Sequence, residues 1–121
     1  MSINGKAFST TRDEVRAQNP GGHPPVVLSG KLKTNDGTYS VGTLLKYDTD
    51  GITLIPMVTA GAAVVGVLDE TIDTATQTSG NYVRHGSVVA SVLKVRDGSD
   101  NETDPSVTDL ILLQANGIFP Q

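Results

Sequence analysis

Apolar residues between positions 26 and 95 occur in short runs, and residues that favour turns separate one run from the next. The run Val26-Val27-Leu28 predicts the first strand, since β-branched side chains suit a pleated surface. Asn35-Asp36-Gly37 predicts a turn, because glycine tolerates positive φ and aspartate can bond its own backbone. Turn signals recur about every ten residues, a spacing that favours a small β-barrel or sandwich over βαβ units.

A hairpin is predicted in the centre of this region. Residues 43–47 form its first strand, the Asp-Thr-Asp-Gly sequence at 48–51 forms the turn, and residues 52–55 form the return strand. Pro56 has no backbone N–H to donate, so it places the return strand at a sheet edge or ends it.

Two further stretches predict strands. Residues 62–68 are small and β-branched, and we expect them to be buried. Residues 81–89 predict a longer strand in which Gly86 marks a bulge or a bend. The predicted fold is therefore mainly β, a small compact barrel-like domain.

A short helix is predicted near the C-terminus, which makes the fold class α+β. Asp104 suits the N-cap position and Pro105 the first helical residue. Apolar residues from Val107 onward follow at roughly helical spacing, and Asn116-Gly117 supplies the end. The run 110–113 is apolar on all sides, so a buried strand is the alternative.

The first 25 residues form a separate segment by composition. They contain few apolar residues and end in Asn-Pro-Gly-Gly-His-Pro-Pro at 19–25, which cannot continue a helix or a central strand. The sequence predicts an extended or disordered N-terminal arm over residues 1–25 and one β-rich domain over residues 26–121. Such an arm either has no role or becomes ordered on a partner.

Composition excludes several classes of function. The chain has 121 residues, enough for one domain, and no cysteine, which rules out a disulfide scaffold and thiol catalysis. The formal net charge of −4 argues against a nucleic-acid partner. No stretch approaches eighteen apolar residues, and the first residues lack the apolar run of a signal peptide, so we expect a soluble protein made in a cytoplasm.

Candidate chemistry is sparse. His23 and His85 are the two histidines, and nothing near either predicts a catalytic pair. A calcium loop with its glycine at Gly51 would place Lys46 and Met57 at the first and last ligand positions, where neither can serve. The acidic stretch 97–104 has irregular spacing and predicts a solvated loop. We therefore expect no enzyme, no cofactor and no metal site, although paired carboxylates for glycoside chemistry stay open.

One region resembles a known family. Residues 43–51 are followed by Gly-Ala-Ala-Val-Val-Gly-Val-Leu at 61–68, a Thr-rich stretch at 71–82, and Tyr-Val-Arg-His-Gly at 82–86. This succession resembles the head decoration proteins of tailed bacteriophages, the lambda-like capsid-stabilising family. The resemblance covers residues 43–90 well and 100–119 loosely, and its motifs concern packing and turns. Residues 30–40 depart from it as an added hairpin.

The resemblance implies a compact β-rich, tulip-like domain that forms a homotrimer. Such trimers bind the major capsid protein on the outer surface of the expanded capsid, at three-fold and quasi-three-fold sites, and stabilise the shell of the virion. In this chain the expected capsid-binding residues are Pro24, Pro25, Val26, Val27 and Leu28. The expected trimer-interface residues are Val64, Val65, Val67, Leu110 and Ile111.

Two other classes stay open at this stage. A tail or fibre module of a phage would share this composition but have a different symmetry. A small non-catalytic binding or carrier domain, or an enzyme fragment that uses Asp and Glu, would share it as a monomer. The mass in solution separates these classes, since a trimer of 12.6 kDa chains has a mass of about 38 kDa.

Overall fold

The computed structural model describes residues 16–19, 21–57, 64–96 and 101–121. Within these residues the chain forms short strands, one helix and a single 3-10 turn at Ala90–Val92. The strands and the helix, in chain order, are β1 (Val26–Lys31), β2 (Thr38–Tyr39), β3 (Leu44–Tyr47), β4 (Leu54–Pro56), β5 (Gly66–Leu68), β6 (Ile72–Asp73), β7 (Ser79–Val88), β8 (Val95–Arg96), β9 (Glu102–Thr103), α1 (Val107–Ala115) and β10 (Ile118–Pro120). The predicted class, mainly β with a short C-terminal helix, is confirmed.

Strand β7 is the centre of the main sheet, whose order is β1-β7-β5-β3-β4. β1 and β5 pair with β7 in antiparallel fashion, and β10 pairs in parallel with its last residues. A single bridge between Leu32 and Leu54 joins the two edges of the sheet. Apart from this isolated bridge, β1 and β4 do not pair in the described residues, so the sheet is not a closed barrel and that part of the expectation is wrong. The strand β4 has three residues, which limits the length over which it could pair with β1.

The long strand β7 is irregular where the sequence predicts it. Val27 pairs with Val83 but Val26 pairs with His85, so Arg84 is an extra residue on β7. Two residues later Gly86 has φ +114°. A β-carbon on Gly86 would lie 2.7 Å from the α-carbon of Pro25, so the glycine also makes room for the chain that leads into β1. The bulge lies at Arg84 and the bend at Gly86.

The predicted central hairpin is confirmed. β3 and β4 pair in antiparallel fashion, with Tyr47 opposite Leu54 and Leu45 opposite Pro56. Gly51 has φ +71°, the conformation for which glycine is suited. Pro56 is the last residue of the edge strand β4.

The C-terminal helix is confirmed but begins later than predicted. Its N-cap is Ser106, whose hydroxyl accepts from the Asp109 N–H, while the Asp109 carboxylate accepts from the Ser106 N–H. This capping box satisfies two backbone donors at once and therefore outcompetes Asp104 as the N-cap. Asp104 instead pairs with the Lys94 ammonium at 2.9 Å. The predicted end is correct, since Gly117 has φ +82°.

Two aliphatic clusters cover the two faces of the sheet. Successive residues of a strand point to opposite faces. Leu44, Val67 and Val83 accordingly lie in the first cluster, and the residues next to them in their strands, Leu45, Leu68 and Tyr82, lie in the second. The second cluster consists of Leu32, Tyr39, Leu45, Leu54, Val65, Leu68, Ile72 and Tyr82. The first cluster also contains residues of α1, β10 and the N-terminal segment, so these elements close that face of the sheet.

The domain begins before the predicted boundary at residue 26. Ala17 is completely buried in the first cluster, and Gln18 forms an antiparallel bridge with Val88. The Asn19 N–H donates to the Ser87 carbonyl at 2.8 Å. Residues 17–19 thus continue the line of β1 along β7, since both run antiparallel to it. Residues 1–15 lie outside the described part of the chain, and the arm expected there stays a prediction.

We predict that Gly86→Ala destabilises the protein by roughly 3 kcal/mol, because alanine adds the strain of positive φ to a clash with the Pro24 and Pro25 backbone. Gly51→Ala is the matched control. It has the same sign of φ but nothing within 4 Å of the added methyl, so a loss of about 1 kcal/mol is expected. Urea unfolding measures both variants, and equal losses would contradict the close approach at Gly86.

Candidate binding surface

The residues expected to bind a partner lie on an edge of the sheet. β1 is an outer strand, and its apolar residues Val26, Val27 and Leu28 are 48%, 36% and 44% exposed. Pro24 is exposed and Pro25 half-buried just before it. An exposed apolar edge strand is a template for a further strand, so the structure brings all five residues together on a surface suited to backbone pairing.

The backbone of β1 leaves donors and acceptors unpaired by β7. The Leu32 N–H donates to the Thr78 carbonyl at 2.9 Å, and antiparallel partners alternate between bonded and non-bonded pairs. The N–H and C=O groups of Val27 and Ser29 therefore point away from β7. These groups can accept an additional strand without any change in the existing sheet.

The apolar side chain of Leu28 extends this edge onto one face. Leu28 lies opposite Tyr82 on β7, so the two side chains share a face. The Tyr82 ring lies between two glycines of the neighbouring strands, because β-carbons on Gly30 and Gly66 would lie 2.9 and 2.5 Å from its ring atoms. Burial raises the pKa of the Tyr82 hydroxyl, and the nearby Tyr47 adds to this effect.

The turn between β3 and β4 holds an exposed apolar side chain in a fixed frame. The Asp50 carboxylate accepts from the N–H groups of Ile52 and Thr53 at 2.9 Å and from the Thr53 hydroxyl at 2.6 Å. These bonds, the Thr53 hydroxyl first, lower the pKa of Asp50 to about 2. Ile52 is exposed at the tip of this turn, and Tyr47 is exposed at its base.

The N-terminal segment is held by a buried carboxylate that sequence reasoning missed. Asp69 Oδ1 accepts from the N–H groups of Ala17 at 2.9 Å and Gln18 at 3.0 Å. Asp69 Oδ2 accepts from Gln18 Nε2 at 2.7 Å and lies 3.6 Å from the Arg16 guanidinium. In the sequence, Asp69 is a single acidic residue directly after the buried run that ends at Leu68. A residue of this kind more often only marks the end of a strand, so it did not indicate a buried anchor.

The expected trimer-interface residues separate into two groups. Val64, Val65 and Val67 are buried within this chain's own clusters, so they have no surface to offer a second copy, and that part of the expectation is wrong. Leu110 is half-buried against the first cluster. Ile111 is 60% exposed, and Val107, one helical turn earlier, is 74% exposed. These two side chains form an apolar stripe on the outer face of α1.

The two histidines meet at one aromatic ring. His23 packs against Phe119 with ring centroids 4.7 Å apart, and His85 approaches the same ring at 6.3 Å. The contact joins the N-terminal segment, β7 and β10, none of which are adjacent in sequence. No group of three metal-ligating side chains occurs in the described residues.

Other polar groups have structural partners. The Arg96 guanidinium lies 3.3 Å from the Asp36 carboxylate and stacks over the Tyr39 ring. This trio ties the turn before β2 to β8. Residues 97–100 of the acidic stretch lie outside the described part of the chain. No helix in the described residues is long and apolar enough to cross a membrane.

Comparison with known proteins adds no relative. The chain matches no protein-family model, and no curated protein matches it significantly. The resemblance to phage head decoration proteins therefore rests on the residues quoted above.

We predict that the Asp50 carboxyl titrates with a midpoint near pH 2 in the folded protein. Its pKa is lowered from 3.8, so its contribution to stability is present above about pH 4 and is lost as the pH falls through 2. Thr53→Val removes the hydroxyl donor and moves the midpoint toward 3.8, which NMR titration of the carboxyl carbon measures. A midpoint near 3.8 in the unmodified protein would contradict the bonded geometry of the turn.

Proposed function

We propose that this protein is a structural virion protein that binds the outer surface of an expanded phage capsid as a homotrimer and stabilises the shell without catalysis. The observation that carries the proposal is the open edge of β1, with Val26, Val27 and Leu28 exposed and two residues directing backbone groups outward. The family resemblance of residues 43–90 supports the same function.

Strand addition is the mode of binding that this edge favours. A strand of the major capsid protein pairs with the outward groups of Val27 and Ser29, and its apolar side chains cover Leu28. Main-chain bonds supply affinity in this mode, and each contributes about 0.5–1.5 kcal/mol. One edge alone binds weakly. Three edges in one trimer bind tightly because the second and third contacts are intramolecular.

The outer stripe of α1 is the surface that we propose for trimer contacts. It replaces the buried valines of the expected interface and keeps Ile111, with Val107 added. Both side chains expose apolar area on one face of the helix, and none of the described residues covers them. Association through one such face on each copy gives closed cyclic symmetry when the contact is head-to-tail.

In this proposal the arm that contributes to binding consists of residues 1–15. A deletion through residue 25 would remove Ala17 from the core and empty the site at Asp69, so loss of binding would then reflect damage to the domain. Deletion of residues 1–15 leaves these contacts in place and tests the arm by itself.

We predict that Ser29→Pro weakens binding to expanded heads by tenfold or more, because proline removes an outward donor and blunts the edge. The N–H of Ser29 points away from β7, so the β1–β7 pairing is kept. Ser29→Ala retains the N–H and is the matched control, for which unchanged binding is expected.

Co-sedimentation with expanded and unexpanded heads measures these variants. Equal binding of Ser29→Pro and wild type would exclude the β1 edge as the contact. If deletion of residues 1–15 abolishes binding while Ser29→Pro does not, the arm alone is responsible. A wild-type protein that ignores expanded heads would contradict the proposed function.

We predict that Ile111→Glu converts a species of about 38 kDa, three chains of 12.6 kDa, to monomer, because a carboxylate cannot be desolvated in an apolar contact. Ile111→Leu changes the side chain at the same position but keeps it apolar, so it is the matched control and leaves the trimer intact. Light scattering at micromolar concentration measures the mass. A wild-type monomer would refute the trimer, and a trimeric Ile111→Glu protein would place the interface elsewhere.

A further inference from the structure

The main sheet fails to close at a gap between β1 and the end of the β3–β4 hairpin, which we call the β1–β4 seam. Its two sides are residues 26–31 and residues 51–54, and the parallel bridge between Leu32 and Leu54 joins them at one end. The Leu54 side chain crosses this end, because a β-carbon on Gly30 would lie 2.5 Å from Leu54 Cδ1. The seam is thus paired at the bridge and open beyond it.

A regular continuation of the bridge would bring Ile52 beside β1 and close the seam. The Thr53 carbonyl faces β3, where it accepts from the Asp48 N–H at 2.7 Å. Successive residues direct their backbone groups to opposite sides, so a regular strand would direct the N–H and C=O of Ile52 toward β1. The same alternation along β1 directs the Ser29 C=O and the Lys31 N–H into the seam. A parallel ladder would join the Ile52 N–H to the Ser29 C=O and the Lys31 N–H to the Ile52 C=O.

The Asp50 carboxylate prevents this pairing. One of its oxygens accepts from the N–H groups of Ile52 and Thr53, both at 2.9 Å, so the donor that would reach β1 is bonded within the turn instead. A side chain that bonds a nearby N–H competes with sheet pairing in this way. The bond from the Thr53 hydroxyl does most to lower the pKa of Asp50 to about 2, and the Lys31 ammonium on β1 also contributes. The lowered pKa keeps the acceptor ionised, and the contribution of Lys31 indicates that the turn faces β1.

The open half of the seam is uncharged and largely apolar. The residues that border it are Val-Val-Leu-Ser at 26–29 and Gly-Ile at 51–52. Leu28 is 44% exposed and Ile52 is 66% exposed, so each has apolar surface to offer. An uncharged extended segment fits this stretch, and its residue opposite Leu28 shares a face with Leu28. An apolar side chain at that position covers Leu28 and reaches Ile52.

We propose that Asp50 is a positioning residue that keeps the β1–β4 seam open, so that a strand of the capsid protein with an apolar side chain opposite Leu28 pairs with β1 there. This inference rests on the proposed function. Without the Asp50 carboxylate, the Ile52 N–H bonds to β1 and the Ile52 side chain covers Leu28. The edge is then closed by the protein's own chain, and a partner strand has to break those contacts before it can bind.

Amide hydrogen exchange measures the state of the seam in the free protein. The Lys31 N–H points away from β7 into the open seam, and in Asp50→Ala it donates to Ile52, so we expect its exchange to slow roughly tenfold. Asp48→Ala is the matched control, because the Asp48 carboxylate lies in the same turn but accepts from the Thr49 N–H. Asp50→Asn keeps an acceptor oxygen. Both of these variants should exchange Lys31 within about threefold of wild type.

The expected slowing cannot come from a general loss of stability, because destabilisation makes amide exchange faster. Equal exchange of the Lys31 amide in Asp50→Ala and in the wild type would overturn the inference. So would slowing of the same size in Asp48→Ala, since the loss of any charge from the turn would then be sufficient.

Co-sedimentation with expanded heads measures the consequence for binding. We expect the dissociation constant of Asp50→Ala to rise roughly tenfold, and those of Asp48→Ala and Asp50→Asn to stay within about twofold of wild type. Ile52→Ser removes an exposed apolar side chain and should weaken binding roughly fivefold, with exchange of Lys31 unchanged.

Wild-type binding by an Asp50→Ala protein whose Lys31 amide is protected would overturn the inference, because the partner would then bind outside the seam. Unchanged binding of Ile52→Ser would overturn the apolar contact. In both cases the wild-type protein still binds heads, and the capsid-binding function stands. A wild-type protein that does not bind expanded heads would overturn the inference and the proposed function together.

Discussion

The main sheet of this domain is built on backbone pairing with β7. The strand bonds to β1 and the N-terminal segment on one side, and to β5 and β10 on the other. A straight strand of ten residues could not bring these elements around one core. The extra residue at Arg84 and the positive φ of Gly86 bend β7, so that Asp69 reaches from one end of it to the chain paired with the other.

The two edges of the sheet are treated differently, and this difference relates the fold to the proposed function. β4 is three residues long and ends in Pro56, which limits further pairing. β1 is six residues long, its first three residues are apolar and exposed, and among the described residues only its C-terminal end meets another strand on the outer side, through the bridge between Leu32 and Leu54. Lys31 places a charge at the end of β1, but the exposed first half of the strand is Val-Val-Leu, with neither a charge nor a proline to discourage pairing.

Local signals in the sequence predicted the local structure well. The β3–β4 hairpin, the end at Pro56, the irregularity of β7 and the end of α1 each depend on residues close together in the chain. The anchor of Ala17 by Asp69 spans 52 positions, and no local pattern reports a pairing at that distance. The trimer-interface prediction failed at Val64 and Val67 because an apolar residue gives the same sequence pattern whether it faces a partner or its own core. The sequence indicated the edge position of β1 only through an apolar run that follows two prolines.

The open edge of β1 also has a consequence for the protein before it meets any partner. The same outward groups of Val27 and Ser29 that suit a foreign strand suit β1 of another copy, in antiparallel register. At high concentration, self-pairing would compete with the proposed capsid contact, and the net charge of −4 supplies only a weak repulsion between copies. Under the proposed function, the concentration of free protein relative to its capsid partner would therefore set how much of it pairs with itself.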